Sequence, residues 1–130
     1  MKTEVAYVER MIELLAPEGA WITGPAWGRD GRSYDMTVMQ ANQFCVFGAW
    51  HRVFEEWKPD MTHDGRIDDE LIEVSFEVSL HMIHEAQKRA NDCHATELTF
   101  NEAPGRTHAE IMDYLAKVRE RAVWKEAEAD

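Results

Sequence analysis

Four groups of side chains in this chain of 130 residues have types and spacings that could do chemistry. Nearest the C-terminus, "FNEAPGRT" sets an amide at Asn101, a carboxylate at Glu102 and a guanidinium at Arg106. Arg106 could hold an anion through its planar fork, with Asn101 or Glu102 orienting it. The same stretch has a plainer account. Pro104 and Gly105 fit the second and third positions of a type II turn, where glycine supplies the positive φ. Thr107 with Glu110 three residues on makes a capping box for the next helix. Phe100 can anchor the connection in the core. Arg106 could pair with Glu102 or donate to open carbonyls at another helix end. Turn and cap account for Pro104, Gly105 and Thr107, and they leave Asn101 and Arg106 unassigned. The stretch is therefore read first as a corner and second as a binding site.

The other three groups are weaker. His81 and His84 stand three apart on a helix and could meet one metal, with Glu85, Cys93 and His94 beyond. A structural zinc site asks for four ligands at a clear spacing, and no HExxH pattern occurs. No metal is assigned; a solvated charged face shared with Glu77 and Lys88 is simpler. Cys45 and His51 are six apart and point to different faces of a helix, so Cys45 reads as a small buried hydrophobe. Trp21, Trp27 and Tyr34 lie beside Arg29 and Arg32 in a turn-rich stretch. Aromatic and arginine side chains of that kind serve at binding surfaces. Equally, Trp21 and Tyr34 could close the hairpin over the core, with Trp27, near Arg29, the expected exposed member. No nucleophile–base–orienter set stands out, so no catalytic residue and no cofactor is assigned, and the reading leans away from an enzyme.

The elements that must position these groups follow from periodicity. Residues 3–16 carry Val5, Val8, Met11, Ile12 and Leu15 at helical spacing behind a Thr3 cap. Pro17 and Gly19 end the run. Residues 20–36 turn to Gly, Pro, aromatic residues and the pair Asp30-Gly31, a type I′ signal, and read as a short hairpin or ordered loop. The spacing of Gly24, Gly28 and Gly31 lacks the Lys-Ser/Thr ending of a phosphate loop. Residues 37–57 read as a second helix, apolar over most of its circumference and therefore central. Gly48 sits inside it at a cost of roughly 1 kcal/mol against Ala, which close approach of another element would explain. Residues 58–68 form a loop with Asp64-Gly65, and Asp68 caps a third helix over 69–91. There Leu71, Val74, Val78 and Met82 line one stripe, broadened by Ile72, Phe76 and Ile83. After a connection over 93–107, residues 108–126 make the last helix on Ile111, Leu115, Val118 and Ala122. The tail, about 126–130, is expected to fray.

The expected architecture is mainly α: a compact four-helix domain over 1–130, with a small β-hairpin or ordered loop at about 20–36 between helices 1 and 2. Apolar residues make up 45% and charged residues 30%, ordinary for a globular chain and too apolar for disorder. Net charge is −11, which disfavours direct contact with nucleic-acid phosphate and anionic membranes. Two cysteines are too few for a disulfide framework. No targeting segment or spanning apolar run is read, so a reduced cytoplasmic location is expected.

Three segments, in order, carry a family resemblance: "GAWITGPAWGRDGRSYD", "QFCVFGAWHRV" and "LTFNEAPGRTHAEIMDYL". Together they resemble a domain of unknown function found in small proteins of bacteria and their phages. Its members have a Gly-Trp segment with an Asp-Gly turn, a Cys-Ala-x-Gly-Ala-type helix, and a Trp-Asn-Asp-x-Pro-Gly-Arg-Thr-type terminal motif. Here Phe100 stands where Trp is usual and Glu102 where Asp is usual. Val46 follows Cys45 in place of a small residue, and Ala20 precedes Trp21 in place of Gly. The resemblance implies an origin in bacteria or phages, hence a bacterial or host cytoplasm, and supplies no activity. The function expected is an acidic accessory protein that binds a protein partner. The alternative is a small-molecule or anion binder, or an enzyme, with its pocket where the 20–36 loop meets the 100–107 turn. A homo-oligomer with structural duty is a third reading.

Overall fold

The computed structural model describes residues 2–33 and 35–129, with nothing described of the Ala129 side chain. It is mainly helical, with small antiparallel strand pairs. Four helices are long: α1 (Glu4–Leu15), α2 (Val46–Trp57), α3 (Asp69–Ala90) and α5 (His108–Ala129); α4 (Glu97–Asn101) has five residues. The strands are two-residue pieces: β1 (Trp27–Gly28) with β2 (Gln43–Phe44), and β3 (Thr62–His63) with β4 (Arg66–Ile67).

Local chemistry sets the helix ends. Thr3 accepts the Ala6 N–H through its hydroxyl, and Asp68 accepts that of Glu70, each satisfying a donor the helix cannot. Asn91 closes α3 in the left-handed region at φ 51°, where its amide N–H reaches the Gln87 and Lys88 carbonyls. The apolar faces of α1 and α5 meet, with Tyr7, Val8, Met11 and Leu15 against Ile111, Tyr114, Leu115, Val118 and Ala122; all nine are buried. Helix α3 adds Leu71, Val78, Met82 and Ala86, and α2 adds Val46, Ala49 and Val53.

Several expectations change. The segment 37–45 is not helical beyond a short 3-10 turn at Val38–Gln40; Phe44 instead pairs with Trp27 and bridges to Trp21. Helix α2 therefore starts at Val46, after Cys45 as N-cap. Trp21-Ile22 does not form a hairpin with Ser33: the strand partner of the 20–28 stretch is Gln43-Phe44. The Asp30-Gly31 turn is there, with both residues at positive φ (51° and 84°) and reciprocal bonds between Arg29 and Arg32. Asp64-Gly65 repeats it (53° and 76°) and makes residues 62–67 a hairpin in place of a loop. The 93–107 connection contains α4, capped by Thr96. Helix α5 runs to Ala129, through the tail expected to fray. Ile72 and Phe76, read as broadening the buried stripe of α3, are 49% and 57% exposed. Tyr34 lies outside the described residues.

Candidate functional site

The terminal motif does form a polar centre. Asn101 ends α4, is wholly buried, and uses both ends of its amide. Oδ1 accepts the Trp21 indole N–H at 2.8 Å and the Val46 N–H at 3.1 Å; Nδ2 donates to the Ile22 carbonyl at 3.3 Å and to Glu102 at 2.8 Å. An amide has two donors and two good acceptor directions, so Asn101 is saturated. Glu102, exposed at its surface, also accepts the Gly24 N–H. Asn101 and Glu102 thus tie the 20–28 stretch to the start of α2 and the end of α4.

Arg106 faces the other way. Its Nε donates to the Phe100 carbonyl at 2.8 Å, Nη1 meets Glu110 at 3.0 Å, and the guanidinium lies 3.8 Å from the centre of the Phe100 ring. That ring stacks on Tyr114 at 4.3 Å. The turn before it is closed by Arg106 N–H to the Ala103 carbonyl with Gly105 at φ 77°. Thr107 and Glu110 exchange side-chain-to-backbone bonds at 3.0 and 3.2 Å. The Thr107 bonds, with Arg106 beside them, hold the Glu110 carboxyl below its ordinary value. Two hollows lie nearby, one on each side. One hollow of about 190 Å³ is lined by Ile22, Thr23, Arg32, Ser33 and Gln43, and another of about 210 Å³ by Ala86, His94, Phe100 and Arg106.

The remaining candidates are dispersed. Trp27 is half-buried, as is Trp21, with its indole N–H on the Met36 carbonyl at 3.3 Å and its ring stacked on His51 at 5.5 Å. Arg29 donates to the Gln40 carbonyl. Cys45 is buried and caps α2, its sulfur accepting the Gly48 N–H; burial pushes the thiol up. His51 is engaged instead with Trp27 and, at 3.8 Å, Glu55. His81 pairs with Glu4 at 2.7 Å while His84 is exposed. Among the described residues no three His, Cys, Asp or Glu side chains gather in a way that could hold a metal.

Two features escaped sequence reading. Glu85, placed beside the surface histidines, is only 5% exposed and sits between Arg89 at 2.8 Å and Arg121 at 3.0 Å. Burial alone would raise its carboxyl; the two arginines bring it below the usual range. The exposure of Ile72 and Phe76 was equally hidden, because an outward apolar pair has the same spacing as an inward one.

A mainly helical chain whose polar centre is a saturated structural junction is the class this geometry defines. The chain belongs to a family of unknown function, DUF6197, whose model matches residues 1–121. No curated protein and no solved structure matches it. Among the described residues no helix is long and apolar enough to cross a membrane.

Proposed function

We propose that this protein works by binding a protein partner, as a single-domain cytoplasmic accessory protein of a bacterium or phage. The observation that carries the reading is the pair Ile72 and Phe76, one turn apart on α3 and about half exposed. Outward apolar side chains in register cost solubility unless something covers them. The polar groups that would serve a small ligand are otherwise engaged: all four bonds of Asn101 are internal, and Arg106 is committed to Phe100 and Glu110. An anion pocket between the 20–36 stretch and the 100–107 turn has less support for that reason. The test is capture from a bacterial lysate by the tagged chain and by its Phe76→Ser variant, with circular dichroism to check the fold. Capture lost in a folded variant supports the reading. Capture indifferent to Phe76, or turnover of a small molecule without any partner, overturns it.

A further inference from the structure

We propose that the docking face extends from Ile72 and Phe76 across an aromatic ladder on α2, and that its occupant is a basic amphipathic segment of a partner protein; this rests on the partner-binding reading above. The ladder is continuous. The Trp27 ring stacks on His51 at 5.5 Å with 8° between planes, and His51 on Phe47 at 6.3 Å and 17°. Phe47 stacks on Trp50 at 5.9 Å, and Trp50 on Phe54 at 6.3 Å, each at 25°. Every one of these rings is only half-buried. The Trp50 indole donates to the Ser75 carbonyl at 2.9 Å, which holds the ladder beside the turn of α3 that bears Phe76.

Charge selects the occupant. Ring faces are electron-rich and attract cations. This fold already uses them so: Lys2 lies 4.8 Å over Trp57 and Arg52 5.8 Å over Phe44. Asp69 and Glu73, both exposed, stand three residues before Ile72 and Phe76 and border them with carboxylates. The whole chain carries −11, a field that draws basic partners and slows acidic ones. A second copy brings the same excess of negative charge to the same place, so self-association through this face is disfavoured. A segment with apolar residues on one side and Lys or Arg flanking them meets both the rings and the carboxylates.

The test uses the full chain, labelled with nitrogen-15, and two synthetic helical peptides. Both share a leucine face; one carries Lys and Arg at its polar positions, the other Glu. The indole N–H signals of Trp27 and Trp50 report the face, and that of Trp21, bonded to Asn101, is the control. The expected result is that the basic peptide alone shifts Trp27 and Trp50, more weakly as salt rises. Phe76→Ser should weaken it about tenfold or more, and Glu73→Lys, a surface change, should weaken it without disturbing the fold. Equal binding of both peptides, preference for the acidic one, no shift with either, or concentration-dependent shifts of Trp50 from a second copy overturns the inference. If Phe76-dependent capture from lysate persists in those cases, the partner-binding reading stands and only the charge assignment falls. If capture fails too, both fall.

Discussion

Asn101 does with one amide what the 20–28 stretch does not do with its own backbone. The 20–28 stretch offers few regular pairings, so the Trp21 indole and the Ile22 carbonyl need partners from elsewhere. Asn101 supplies both and takes the Val46 N–H as well. Removing it leaves one buried and two half-buried groups unpaired, each worth up to about 1–3 kcal/mol. Asn101→Ala should therefore lose about 2–4 kcal/mol in urea unfolding, allowing for partial relaxation. A loss under about 0.5 kcal/mol, the size of an ordinary surface change, would contradict this account. None of it was legible in the sequence, since the partners lie 55 to 80 residues away. The capping geometry of Thr107 is the opposite case: the hydroxyl and Glu110 find each other within one turn, and local spacing carries the whole message.

Among the elements, α1, α3 and α5 were readable because each turns a 3.6-residue period toward a common core. The start of α2 was not. Residues 37–45 have helix-compatible composition, but Phe44 is drawn into pairing with Trp27 and Trp21. Strands of two residues have no period to read. Gly48 was a better guide, although the helix around it was placed too long. A Cβ there would run into the Ala26 carbonyl oxygen, the same oxygen that accepts the Cys45 N–H at 3.0 Å. Two effects oppose each other in Gly48→Ala. Helix propensity gains about 1 kcal/mol, while overpacking against backbone costs about 1–3 kcal/mol or more. Backbone cannot swing aside as a side-chain tip can, so the cost should win. The variant is expected to unfold at lower urea than the parent; a higher midpoint would mean that Ala26 yields freely.

For the whole molecule, two carboxylates pinned by arginine, one buried and one half-buried, set the response to acid. Glu85 lies between Arg89 and Arg121, and Glu56 between Arg10 and Arg52. Burial opposes ionisation at both, yet the guanidinium groups prevail and both carboxyls fall below the usual value of 4.5. A depressed folded value means that these groups add stability fully above 4.5 and lose it as pH falls through the folded value. Melting temperature should hold from neutral pH to about 5 and then decline. Glu85→Gln should cost about 1–3 kcal/mol at pH 7 and flatten the acid decline. An unchanged slope below pH 4.5 would place the acid sensitivity elsewhere. The overall charge was plain from composition and the helical class from periodicity, but that a carboxylate lies inside was not, because Glu85 belongs to a helix face that reads as solvated.

The junction at Asn101 has a consequence for the order of synthesis. The chain emerges N-terminus first, and Trp21 leads its amide partner by 80 residues. At about 5–20 residues per second, that is a wait of about 4–16 s. Through that interval the Trp21 indole and the Ile22 carbonyl have only water or transient company, and α1, whose apolar face is covered by α5, waits longer still. The N-terminal half thus stays open to a protease or a chaperone on the nascent chain until the C-terminal third has emerged.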